Sequence, residues 1–260
     1  MGNVVITGAG HGIGAALAER FGRAGHAVAV LDIDVEAAAN CAKRVEERGS
    51  AALALRCDVT QAAECDAAIS RVVEVWGGVD ILVNNAGITH VGLVRDTEVA
   101  VLRRVVEVNL FGAIHCTRAA LPSLLERRGC IAALSSVAGF APLATRAGYV
   151  ASKHAVQGFF ETLRTEHAAD GLGVVLVCPS FVETDIGRRA LGADGGPAGE
   201  EKRSGVAHAV GPQEAAELIF LGVTRRRRIV WVGREARLAW WVTHLAPRLY
   251  ERRMQRRMLG

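Results

Sequence analysis

No apolar run in this 260-residue chain approaches the roughly 18 to 20 residues that a membrane span requires. That excludes a spanning helix. Met1 leads almost directly into Asn3-Val4-Val5-Ile6, so no signal peptide is expected and the chain reads as cytoplasmic. The six cysteines (Cys41, Cys57, Cys65, Cys116, Cys130, Cys178) fall singly, without a C-x-x-C pair or a nearby histidine at ligand spacing. A zinc ribbon and a disulfide framework are thereby excluded; no metal is expected, and buried reduced thiols are. There is no aromatic stacking surface or reading helix, so a nucleic-acid partner is not expected. No linker or internal repeat divides the chain.

What is present is a 27.6 kDa chain, half of it apolar, with ample material for a sizeable core. Its net charge of +4 is unevenly spread: residues 1–224 hold 20 Lys+Arg against 25 Asp+Glu, and residues 225–260 hold 11 Arg against 2 Glu. An acidic body carries a basic tail.

Short aliphatic runs at Val4–Thr7, Ala27–Leu31, Ala51–Arg56, Ile81–Asn84, Ile131–Ser135, Val174–Cys178 and Ile229–Val232 read as strands. Helical stretches separate them, at Gly14–Arg23, Val35–Arg48, Ala62–Trp76, Glu98–Arg127, Tyr149–Ala168 and Gln213–Val223. Strands without polar alternation are buried on both faces, so the pattern predicts an α/β fold, a doubly wound, mainly parallel seven-stranded sheet with helices on both faces. Ile186–Gly211, rich in glycine and charge, breaks the alternation and is expected to be a lid or binding loop at the carboxyl edge of the sheet.

After the first strand comes Thr7-Gly8-Ala9-Gly10-His11-Gly12-Ile13-Gly14, followed by a helix. Glycines there let the backbone turn tightly beside a pyrophosphate, whose charge the amides of the helix N-terminus stabilise. Asp32 ends the second strand, where a carboxylate would accept hydrogen bonds from the adenosine ribose and repel a 2′-phosphate. NAD(H) is therefore favoured, with NADP(H) the alternative and His11 the one nearby residue that argues for it.

Tyr149 and Lys153 share one helix face about 6 Å apart. An ammonium beside a phenol favours the phenolate, so Lys153 is expected to lower the Tyr149 pKa and make it a proton carrier for an alcohol or ketone. Ser136, 13 residues earlier and just past the fifth strand, could donate to the substrate oxygen.

With these residues the sequence resembles the short-chain dehydrogenase/reductase family over about residues 3–233. The motifs that carry the resemblance are the Thr7–Gly14 turn, Asp58 in Cys57-Asp58-Val59, Asn84-Asn85-Ala86-Gly87, Asn109, Ser136, Tyr149-x-x-x-Lys153, and Pro179 followed by Val182 and Thr184. The resemblance implies a Rossmann-type fold, with Tyr149 as acid/base, Ser136 as donor to the substrate oxygen, Lys153 as the group tuning Tyr149 and holding the nicotinamide ribose, and Asn109 as anchor for a relay water. It further places Gly8, Gly10, His11, Gly12, Ile13 and Gly14 at the pyrophosphate, and Asp58 and Val59 at the adenine. Asn85, Ala86 and Gly87 fall beside the cofactor, and Pro179, Val182 and Thr184 near the nicotinamide. Ser180 stands where the family usually has glycine, and is expected to be strained if that position needs a positive φ.

Val137, Phe140, Leu143, Phe181 and Ile186 would border an apolar substrate pocket, with His90 at its mouth or solvated in its loop. The expected activity is interconversion of a secondary alcohol and a ketone on a lipid-, steroid- or polyketide-like substrate. An NADPH-dependent biosynthetic ketoreductase and a catalytically silent NAD(H)-binding scaffold or sensor are the alternatives. The resemblance also implies a homodimer or homotetramer.

Residues 1–233 are expected to form the catalytic domain and 234–260 a basic amphipathic helical extension. Leu238, Trp241, Val242 and Leu245 recur at helical spacing there, flanked by arginines. The extension suits either peripheral contact with a membrane surface or packing on the acidic body.

Overall fold

The computed structural model describes residues 1–199 and 209–259. Seven strands form one sheet: β1 (Asn3–Thr7), β2 (Ala27–Asp32), β3 (Ala52–Arg56), β4 (Ile81–Asn84), β5 (Cys130–Leu134), β6 (Gly173–Pro179) and β7 (Ile229–Val232). Their order is β3-β2-β1-β4-β5-β6-β7, and every pairing is parallel. The order reverses between β1 and β4, leaving a crevice at the carboxyl ends of the strands where open α/β sheets bind ligands.

The helices are α1 (Gly12–Arg23), α2 (Val35–Glu46), α3 (Ala62–Trp76), α4 (Val99–Val106), α5 (Gly112–Glu126), α6 (Ala147–Glu166), α7 (Pro212–Thr224), α8 (Arg234–Leu245) and α9 (Pro247–Leu259). Strand residues alternate between two cores. Val4, Ile6, Val28 and Val30 face Leu17, Phe21 and Ile219 on one side, and Val5, Leu82 and Ile131 face Ile69, Leu124 and Phe160 on the other. Each such side chain removed from water contributes about 2 kcal/mol, which is why the strands read as unbroken apolar runs.

One expectation is corrected. The single helix expected over Glu98–Arg127 is divided by a π turn at Glu107–Phe111. One extra residue per turn shifts the apolar face without ending it, so periodicity alone does not reveal the break. The stretch expected as a lid or binding loop over Ile186–Gly211 is tied to the body at two points: Leu191 N donates to Thr89 O (3.0 Å), Val91 N to Leu191 O (2.7 Å) and Glu98 N to Ala193 O (2.9 Å). Residues 200–208 lie outside the described residues.

The tail begins as α8 directly after Gly233. Ala236 is fully buried against the body, and an aromatic ladder runs from Phe140 through Trp231 (5.7 Å between ring centres) to Trp240 (6.4 Å) and His244, which stacks on Trp240 at 4.3 Å. The opposite face leaves Leu238, Trp241 and Leu245 exposed, the last at 76%. No helix among the described residues is long and apolar enough to cross a membrane.

Candidate active site

The turn after β1 depends on glycine at defined points. Gly8 and Gly12 have φ of +60° and +55°, and a Cβ on Gly14 would lie 2.3 Å from the Gly8 carbonyl oxygen. The loop after β4 braces this turn from below: the Asn85 side-chain amide donates to Thr7 O (2.9 Å) and Gly8 O (2.8 Å), and Thr7 Oγ1 accepts from the main-chain N–H groups of Asn85 and Ala86. No side chain caps the N-terminus of α1, so its leading amides remain available to an anion. Gly14→Ala is expected to destabilise the protein by about 2 kcal/mol, because a backbone carbonyl cannot step aside. It should also weaken cofactor binding, as urea unfolding and a nucleotide titration would read.

Asp32 sits at the end of β2 with Oδ2 accepting from Gly10 N (2.8 Å) and Oδ1 from Asp34 N (3.0 Å). His11 lies 4.0 Å from the Asp34 carboxylate. These residues open onto a cleft of about 540 Å³ whose walls include Gly12, Ala37 and Arg44. The Arg44 and Arg48 guanidiniums are both paired with Glu19, at 2.7 and 2.9 Å. Asp58 holds its own turn, accepting from Thr60 N and Thr60 Oγ1, beside the buried Val59. Positive-φ glycines, an uncapped helix start and a terminal carboxylate fit a dinucleotide, with pyrophosphate at Gly10–Gly14 and ribose at Asp32.

Ser136 starts a short 3-10 turn after β5, its Oγ accepting from Ala138 N (3.1 Å). The Tyr149 phenol, at the start of α6, lies close enough to Ser136 for the serine hydroxyl to pull its pKa down. Lys153, one turn on, is buried and donates to Leu134 O (2.7 Å), with its ammonium 5.7 Å from the Tyr149 ring centre. Gly87 lies alongside, since a Cβ there would be 3.1 Å from Asn109 Oδ1 and 3.6 Å from Lys153 Nζ.

Burial pushes the Tyr149 phenol above its ordinary value, while the Ser136 hydroxyl and the Arg146 charge pull it down. The expectation that Lys153 lowers it is corrected: the ammonium is directed to the Leu134 carbonyl, and burial of the phenol prevails. Burial brings Lys153 down from 10.5 to about 8. Below pH 8 the folded protein carries a buried charge. As pH rises from about 8 to 10.5 the folded chain has lost that proton while the unfolded chain keeps it, so Lys153 makes stability increase across this window. The gain is about 3 kcal/mol. Urea unfolding of the cofactor-free protein at both ends of the window should show this rise, and Lys153→Met should lack it.

The Asn109 side chain is fully engaged. Its Oδ1 accepts from Ile88 N (2.8 Å), and Nδ2 donates to Ile88 O (3.0 Å) and Ser152 Oγ (2.9 Å). It ties the loop after β4 to α6. Ser152 and Arg146, both buried, were not singled out from the sequence. Ser152 Oγ also donates to Tyr149 O (2.8 Å), and Arg146 donates to His90 O (2.8 Å). Each stands within four residues of Tyr149, which is the one signal that could have found them.

His90 is neither at a pocket mouth nor solvated. It is completely buried, its ring nitrogens have no hydrogen-bond partner among the described residues, and a Cβ on Gly148 would lie 3.2 Å from its Cε1. The 190–198 segment covers it by pairing with its loop, and burial lowers its pKa, keeping the ring neutral. Ser180 does not adopt a positive φ; its hydroxyl donates to Val232 O (3.1 Å) and nestles against Gly233.

Thr184 lies over Gly12, whose added Cβ would be 3.2 Å from its methyl, and Val182 bridges to Val210. Phe181 and Ile186 are exposed at 39% and 38% on the same segment. Val137, Phe140 and Leu143 are half-buried, and Phe140 is backed by Trp231 and the α8 ladder.

Residues 2–193 match the sequence pattern of the short chain dehydrogenase family. Dehydrogenase/reductase SDR family member 7B of Rattus norvegicus is 34% identical over 98% of this chain and 80% of its own length. The crystal structure of a short chain dehydrogenase/reductase from Burkholderia phymatum in complex with NAD superposes with a TM-score of 0.85 at 28% identity, covering 95% of this chain and 94% of that one. An alcohol dehydrogenase from the archaeon Thermococcus sibiricus, complexed with 5-hydroxy-NADP, gives 0.76 at 26% identity over 89% and 95%.

Proposed function

The chain belongs to the short-chain dehydrogenase/reductase family, whose members are NAD(P)-dependent oxidoreductases, and from that premise we propose that it interconverts a secondary alcohol and a ketone on an apolar, lipid-, steroid- or polyketide-like substrate with NAD(H). The observation that carries this reading is the convergence of Ser136, Tyr149 and Lys153 beside Gly87. A nicotinamide held there supplies or accepts the hydride.

Ser136 and Tyr149 then share the substrate oxygen. In oxidation Tyr149 takes the hydroxyl proton as the carbon gives up hydride, and in reduction it returns one, while Ser136 donates to the oxygen as charge develops on it. Lys153, held by Leu134 O one turn along α6, is placed to hold the nicotinamide ribose, and Asn109 holds the loop that carries Gly87. Asp32, with Asp34 beside it and Arg44 and Arg48 both engaged by Glu19, supports NAD(H) over NADP(H).

Following nicotinamide absorbance over a panel of secondary alcohols and ketones tests the reading. Turnover of apolar members is expected; cofactor binding with no turnover across the panel would overturn it in favour of a non-catalytic binding protein.

An apolar groove between α4 and α6, lined by Leu102, Val106, Phe111 and Ala151, supports a homo-oligomer, and light scattering should report more than one chain. The exposed Leu238, Trp241, Leu245 and Leu249, among arginines, support peripheral contact with an anionic membrane surface by an otherwise cytoplasmic protein. Anionic liposomes should float the full chain and leave behind one ending at Gly233; equal flotation would remove this contact.

A further inference from the structure

Outside the dinucleotide cleft, three elements each deliver one thiol to a single buried point. Cys57 follows β3, Cys65 lies on α3 and Cys116 on α5, and all three are at most 3% exposed. The Cys57 and Cys65 sulfurs are 3.9 Å apart, those of Cys65 and Cys116 are 3.5 Å apart, and all three lie within 4.8 Å of one another. Sequence spacing gives no hint of this, because two of the ligands are on separate helices. None of the three takes part in the proposed hydride chemistry.

The dimensions are those of a metal-thiolate triangle. A zinc ion about 2.3 Å from three coplanar sulfurs sets them about 4.0 Å apart. Sulfur is the only donor the three side chains offer, which selects soft ions over magnesium or calcium. Charge decides between the soft ions. Three thiolates around a divalent ion leave one net negative charge in the interior and around copper(I) two, and the cost of burying charge rises with its size.

We propose that Cys57, Cys65 and Cys116 form a buried three-thiolate site for a zinc-group divalent cation. On binding, three sulfur–metal bonds form, each thiol releases its proton to solvent, and no electron is transferred. The ion would cross-link the end of β3 to α3 and α5. Cys57 N also donates to Asp32 O (2.9 Å) and Cys57 precedes Asp58, so the same cross-link braces the wall expected to hold the adenosine.

The test uses the full-length, metal-free protein kept reduced with a phosphine, with Cd²⁺ as an optical probe and Zn²⁺ as competitor. The expected result is an ultraviolet sulfur-to-cadmium charge-transfer band saturating at one ion per chain and bleached by Zn²⁺. Free Zn²⁺ at about a hundred times its Kd should shift the folding equilibrium about a hundred-fold toward the folded state, read as a higher Tm. A variant with Cys41, Cys130 and Cys178 all changed to Ala should keep the band, since the triad is then its sole source of thiols. Cys65→Ala should lose it.

No thiolate band in the wild-type protein at stoichiometric Cd²⁺ overturns the proposal. So does a band that survives undiminished in Cys65→Ala, or one absent from the folded triple variant. If Cys65→Ala fails to fold, Cys116→Ala and the triple variant decide in its place.

Discussion

Tyr149→Phe is expected to cut kcat about 1,000-fold while leaving the cofactor Kd within about two-fold, because general acid/base catalysis contributes on the order of 10²–10⁴ and the ring itself is retained. In the proposed reaction the phenol is the group whose proton moves to or from the substrate oxygen, while Lys153 donates to Leu134 O. There Ser136 donates a hydrogen bond to that oxygen and keeps its own proton, its Oγ accepting from Ala138 N. Ser136→Ala should therefore cost less than Tyr149→Phe and alter the pH profile less. Steady-state kinetics on any accepted alcohol, with a parallel nucleotide titration, makes the measurement; Tyr149→Phe turning over near the wild-type rate would remove Tyr149 as the proton carrier.

Asp32→Asn should carry the second largest effect, a swing of about a hundred-fold in the ratio of NADH to NADPH affinity. Two like charges about 5 Å apart at an effective dielectric of about 20 repel by about 3 kcal/mol, and the substitution removes that repulsion. Asparagine keeps an oxygen to accept from Gly10 N, so the turn should survive and the change should be read in nucleotide preference rather than in stability. Asp34 remains nearby and limits the gain for NADPH. Competing titrations of the two reduced nucleotides in both proteins decide it; an unchanged ratio would remove Asp32 as the determinant.

The seven strands were legible within about a residue at each end because the inner strands, buried on both faces, leave uninterrupted aliphatic runs and the half-buried edge strands β3 and β7 remain mostly aliphatic. Ile81–Asn84 and Ile229–Val232 fall where the periodicity puts them. Local spacing likewise brought Tyr149 and Lys153 to one helix face. Features that arise from packing between distant segments were not legible. His90 follows a glycine-containing loop and reads as lining the pocket mouth or as solvated, yet it is buried, and the 190–198 segment, about 100 residues later, pairs with its loop. Asn109 is distinguished by family resemblance, whereas its side-chain role depends on Ile88 and Ser152, which only the folded chain brings near. Ser180 looked strained because its partner across the sheet was unknown; Gly233 has no side chain, which leaves room for the Ser180 hydroxyl.

Helix α8 is a single rigid element with two differently occupied faces. Trp240 on one face continues the aromatic ladder that ends on Phe140 at the expected substrate pocket, and Leu238, Trp241 and Leu245 on the other meet solvent. Whatever settles on the outer face and whatever fills the pocket meet the same helix, and their binding free energies are linked to the extent that either one shifts it. If occupation of the outer face tightens substrate binding by some factor, substrate must tighten that occupation by the same factor. Kinetics measured on the protein in plain buffer would then describe only one end of this coupled equilibrium.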